Sequence, residues 1–182
     1  MILRSTLLAV PFVLLAACGG SETGQQNNAQ ANISNDSRPE MNNAMVLLTL
    51  SKDQLLAIQH ERHEGMEAIG KATKAAGREL RGSAPDTAVV RQSAARINAL
   101  AHKASGWFPE GTGRELGNTG AKPEIWKNQK DFAIKLHNFQ MAAAQFNAAA
   151  TGNDPATTKT KFDAMGATCK ACHDTYRAEM HH

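Results

Sequence analysis

Beyond Met45, apolar residues recur at three-to-four-residue spacing, and Gly, Pro and Asn interrupt that rhythm to leave four segments. This is the period of amphipathic helices, not of half-buried strands. Ser51 followed by Gln54 is a capping box, so the first helix starts there. Leu55, Ile58, Arg62, Met66, Ile69, Thr73 and Leu80 make its stripe, with Arg62 the one charge on it, and Gly82 closes it. A second helix runs from about Pro85-Asp86 to Ala104, with Val89, Ala94, Ile97, Leu100 and Ala101 inward and Ser105-Gly106 as its stop. Residues 106–122 form a Gly-rich loop, longer than most helix–helix connections and therefore a candidate for a role of its own. Pro123 suits the first position of a third helix, which carries Ile125, Trp126, Phe132, Leu136, Phe139 and Phe146 and ends at Gly152-Asn153. Asp154 as N-cap and Pro155 after it open a fourth helix bearing Phe162, Met165 and Cys169 and running to the C-terminus. The fold class predicted is all-α, an antiparallel four-helix bundle over residues 45–182.

Composition agrees with that pattern. A hydrophobic fraction of 42% suffices for one core, and 5% aromatic residues are few for a sheet. The net charge of +3 is mild, and no block of Lys and Arg interleaved with aromatics appears, so nucleic acid is not an expected partner. No catalytic triad, phosphate loop or paired carboxylates stand out, and no enzymatic activity is expected.

The first residues break the helical pattern in another way. Arg4 precedes an apolar run from Leu7 to Ala16, too short and too interrupted by Pro11 to span a membrane, which reads as an export signal. It ends in Leu15-Ala16-Ala17-Cys18, which resembles the bacterial lipoprotein cleavage box. Residues 1–17 are then the signal peptide and Cys18 the lipidated first residue; cleavage after Ala17 as an ordinary secretory signal is the alternative. Residues 18–44 are rich in Gly, Ser, Gln and Asn and read as a flexible tether. The expected location is the bacterial periplasm, with a lipid anchor in the inner or outer membrane.

The chemistry concentrates near the other end. Cys169-Lys170-Ala171-Cys172-His173 is C-x-x-C-H, the attachment pattern of haem c. Two thiols one helical turn apart can each form a thioether to a haem vinyl group, and the imidazole beside the second can bind the iron. Export fits this reading, because such haem is attached outside the cytoplasm. A Cys169–Cys172 disulfide in a haem-free lipoprotein is the main alternative. A thioredoxin-like pair lacks its βαβ context, and His60, His63, His102 and His137 give no zinc-ligand spacing.

With that motif on the last of four helices, the chain resembles the cytochrome c′ family, the class II c-type cytochromes. The resemblance extends over most of residues 51–182. It rests on Cys169 to Arg177, on Trp107-Phe108-Pro109 with Gly111-Thr112-Gly113, on Lys122-Pro123-Glu124-Ile125-Trp126, and on Arg62-His63-Glu64-Gly65-Met66. It implies one haem c within the bundle near one end. By the same resemblance Arg62 pairs with a haem propionate, whereas the residues alone would make it a snorkelling surface cation. Arg177, one turn after His173 on the same helical face, lies beside the proximal imidazole, or merely compensates the helix terminus. Thr112 and Gly113 pass the haem edge, and Trp126 is core. Met66 stands at the distal position. The five-coordinate state, which binds nitric oxide or carbon monoxide, is preferred, and Met66 as a sixth ligand in a low-spin electron carrier is the alternative. His63 is a weaker ligand candidate. Redox proteins and a second copy of the chain are the implied partners.

Overall fold

The computed structural model describes residues 50–179, of which the expected bundle occupies nearly all. The signal segment, Cys18 and the whole tether lie outside the described residues. Five helices follow in order: α1 Lys52–Arg81, α2 Thr87–Lys103, α3 Glu124–Lys127, α4 Gln129–Thr151 and α5 Pro155–Tyr176, with a 3-10 turn at Ala104–Gly106. No helix among the described residues is long and apolar enough to cross a membrane.

The starts are set by side chains satisfying backbone N–H groups that a helix leaves unpaired. Ser51 and Gln54 form the reciprocal box at α1, with Ser51 N–H donating to Gln54 Oε1 at 2.7 Å. Asp86 accepts from Ala88 and Val89 at α2, and Asp154 accepts from Ala156 at α5. Two expectations need correction. The third helix is broken at Asn128 (φ −119°, ψ 47°), leaving α3 as a single turn before α4. The break lets Ile125 bury itself while Trp126 Nε1 donates to the carbonyls of Phe108 and Pro109 at 3.2 and 3.0 Å. The last helix stops at Tyr176 instead of running on, because Arg177 turns extended and forms an antiparallel bridge with Ala121.

Neighbouring helices pack in the order α1, α2, α4, α5, so the ring closes between α1 and α5. That last seam is the least closed of the four. One core holds Ile69, Ala76, Val90, Ala94, Ile97, Leu100, Phe139, Phe146 and Met165, all buried. Here Val90, not Val89, faces inward, a shift of one position from the expected stripe. A second, smaller core gathers Ala121, Ile125, Phe132 and Tyr176 at one end of the bundle.

Candidate functional site

Cys169 and Cys172 lie on consecutive turns of α5 and border different cores: Cys169 packs on the larger, Cys172 on the smaller. Both thiols are free, which gives the disulfide alternative no support. Burial pushes both thiols above their ordinary pKa, with Lys135 partly opposing this at Cys172. His173 is exposed, and its ring makes no hydrogen bond or ion pair among the described residues. Partial desolvation first, and Arg177 second, hold its pKa below the usual value, against a small pull from Asp174. A neutral imidazole with a free lone pair is the form that binds a metal.

The end of α5 is fastened on three sides. Tyr176 is buried, and its hydroxyl donates to Asp131 Oδ2 of α4 at 2.6 Å. Burial, then that carboxylate, raises its pKa to about 12. Its ring meets Phe132 edge-on at 5.2 Å, and Phe132 meets Phe108 likewise at 4.8 Å. Lys122 N–H donates to Tyr176 O at 3.0 Å, and Ala178 N–H to Gly120 O at 2.8 Å. Arg177 is therefore not on the helical face where the sequence put it. Its backbone N–H donates to His173 O at 3.0 Å, and its charge still reaches the imidazole.

Across the seam, Arg62 is 4% exposed, which for a guanidinium demands partners. Nη1 donates to Trp107 O and Thr112 Oγ1 at 3.0 and 3.1 Å, and Nη2 to Thr112 O and Thr119 Oγ1 at 2.7 and 3.0 Å. Its carbon also sits 5.2 Å from the centre of the Phe108 ring. Arg62 is thus no snorkelling surface residue: it clamps the 107–119 loop, and only Nε is left for any other acceptor. Burial lowers its pKa, with Glu115 opposing. Gly111 makes the loop possible by adopting φ +82°, where other residues are strained. Thr112 is fully buried in the clamp, and Gly113 bonds Gln59 through its carbonyl and Glu115 through its N–H.

One loop therefore joins both sides of the seam, since Thr119 is held by α1 and the adjacent Gly120 by the chain leaving α5. Farther along, α1 and α5 touch where a β-carbon on Gly77 would lie 3.1 Å from the Phe162 ring. Eleven residues from that contact, about 16 Å along each antiparallel helix, stand Met66 on α1 and His173 on α5. Met66 is half-buried and packs on the larger core, as Cys169, Phe108 and Leu136 also do. His63, by contrast, is exposed and lies 3.6 Å from Glu67.

These residues fit a haem. A thiol pair bordering both cores precedes an exposed, metal-competent imidazole on α5. The bundle is least closed between α5 and α1, and apolar Met66, Phe108 and Leu136 pack on the same larger core as Cys169. The buried Trp107 Nε1, which has no acceptor, marks a further polar group awaiting a partner. Sequence reasoning missed Thr119, Gln59 and Asp131, polar residues with no periodic signal, and missed Tyr176 and Gly65 as packing determinants. Trp126, expected in the core, is half-buried and ties the loop to α3.

Comparison with known proteins agrees with the geometry. The family model described as Cytochrome C′ matches residues 57–177. A cytochrome c′ from Rhodospirillum rubrum is 35% identical over 65% of this chain and 80% of its own. Among solved structures, cytochrome c prime from Shewanella frigidimarina has a TM-score of 0.65 and 30% identity, covering 70% of this chain and 98% of that one. A nitric oxide complex of a mutant cytochrome c prime from Alcaligenes xylosoxidans has a TM-score of 0.62 at 26% identity, covering 72% and 99%. On the family match over residues 57–177 and these relatives, the chain belongs to the cytochrome c′ family, whose members carry one covalent haem c per chain.

Proposed function

We propose that this chain is an exported c′-type cytochrome, with haem joined by thioethers to Cys169 and Cys172 and iron bound by His173. The observation that carries this reading is the C-x-x-C-H thiol pair at the fastened end of α5, level with Met66 across the α1–α5 seam. When bound, the haem supplies an iron that gains or loses one electron and takes up a small neutral gas. His173 stays neutral at physiological pH and offers its lone pair, because its environment disfavours the imidazolium. Tyr176 and the Ala121–Arg177 bridge fix the helix end from which that imidazole projects. With haem bound, the apolar Met66 thioether would crowd the iron against a second protein ligand, leaving a five-coordinate centre that would admit only small ligands such as nitric oxide and carbon monoxide. The Alcaligenes relative, which forms a nitric oxide complex, supports this ligand class.

A second reading has a specific observation behind it. Met66 and His173 stand at the same height on facing helices, which is also where a sixth ligand would be. The absorption spectrum decides. High-spin features that change with nitric oxide or carbon monoxide support the five-coordinate state, and Met66→Ala then leaves the spectrum high-spin. A low-spin spectrum that Met66→Ala converts to high-spin overturns it in favour of a His/Met electron carrier.

The same proposal places residues 1–17 as a lipoprotein signal, Cys18 as the lipidated residue and 18–44 as the tether of a periplasm-facing domain. Its partners are then redox proteins and a second copy of the chain, and its work is gas binding or single-electron transfer, not catalysis.

A further inference from the structure

We infer that the Trp107 indole N–H donates to a haem propionate, so that Trp107 together with Arg62 fixes the carboxylate edge of the haem. This rests on the haem reading above and adds a residue to it. Trp107 is 2% exposed, yet its Nε1 has no acceptor. A buried N–H is almost always paired, so an orphan marks the place of an absent partner. The residue is not free to turn away. A β-carbon added at Gly65 would collide with the six-membered ring of the indole, so the ring lies flush against α1 immediately beside Met66. Its carbonyl is held by Arg62 Nη1 at 3.0 Å.

Arg62 supplies the second part of the argument. Four of its five N–H donors go to the loop, and Nε has no hydrogen-bond partner among the described residues. A buried donor without a partner and a cationic donor still open thus belong to two residues joined by a hydrogen bond. An acceptor that satisfies both is an anion with two oxygens, and a propionate is such a group. The other tryptophan behaves differently, since Trp126 Nε1 is satisfied by the Phe108 and Pro109 carbonyls. A rival acceptor is Asn98 Oδ1 on α2, which is buried and also unpaired.

The test compares haem-loaded wild type with Trp107→Phe, which keeps an aromatic ring at this position and removes the donor together with the outer ring edge that meets Gly65. The pyridine haemochrome comes first: wild type without haem would remove the haem reading itself, whereas haem in both proteins isolates the present question. The midpoint potential is then followed against pH. A hydrogen bond to the charged form lowers a carboxyl's pKa, so Trp107→Phe should move the propionate-linked break in that curve upward by about half a unit, roughly threefold in proton affinity. An unmoved break, as pairing with Asn98 would give, overturns the inference. So does a shift confined to the carbon monoxide stretching frequency, which would place the donor at the iron's ligand instead. Should Trp107→Phe not fold, the wild type answers alone. In the ferrous carbon monoxide form, the Trp107 indole ¹⁵N–¹H resonance should move when the propionate is titrated, and an indole signal indifferent to that titration contradicts the proposal.

Discussion

Arg62 shows how a single residue can look wrong in a sequence and be indispensable in the fold. A cation on an apolar stripe is costly to bury, and here the cost is offset by four hydrogen bonds to the 107–119 loop. Removing Arg62 leaves the Trp107 carbonyl without a donor, the Thr112 carbonyl with only the long bond from Gln59, and the Thr119 hydroxyl with only the Ala121 N–H. Arg62→Met should therefore destabilise the domain by about 3 kcal/mol, as read by urea unfolding, and should release the 107–119 loop to hydrogen exchange. A loss below about 0.5 kcal/mol would show that the loop holds itself. The sequence resemblance paired Arg62 with a propionate, and the geometry leaves Nε for that contact while giving the larger part of the guanidinium to the protein.

The helices were legible where local chemistry sets them. Ser51, Asp86, Asp154 and Pro155 announced the starts of α1, α2 and α5, because caps act on the first turn and depend on near neighbours alone. The break at Asn128 and the end of α5 at Tyr176 were not legible, since both depend on partners far away in sequence: Trp126 on the Phe108 and Pro109 carbonyls, and Arg177 on Ala121. For the site, the C-x-x-C-H run was visible because its five residues are contiguous. Thr119 and Asp131 were invisible because an isolated polar residue carries no period.

Tyr176 makes the end of α5 testable. Its hydroxyl pKa is raised from 10 to about 12 in the folded protein. Between those values the unfolded chain loses the proton while the folded one keeps it, so fewer protons are bound in the unfolded state and stability falls as pH rises. The stabilisation is fully present below pH 10 and lost as pH climbs through about 12. Urea unfolding of the haem-loaded protein should show this decline, and Tyr176→Phe should flatten it. An identical alkaline decline in both proteins would mean that the Asp131 contact does not hold the tyrosine protonated.

Taken whole, the described chain is three well-closed helix interfaces and one loose seam, pinned at one place by Gly77 against Phe162 and at one end by the loop. An asymmetric bundle of this kind suits a flat group inserted edgewise between α1 and α5, where a fourth tight interface would leave no room. The proposed anchor belongs to the complete molecule as well. Cell fractionation should find the wild type with membranes and Cys18→Ser in the soluble periplasmic fraction; a wild type that is itself soluble would assign residues 1–17 to an ordinary secretory signal.

The central claim is that Cys169 and Cys172 carry the haem covalently, and denaturing electrophoresis with a haem peroxidase stain tests it most directly. Exported protein from cells competent in haem attachment should give a stained band at the mass of the chain, which Cys169→Ser with Cys172→Ser abolishes. An unstained wild-type band, or a stain that survives loss of both cysteines, would contradict the account.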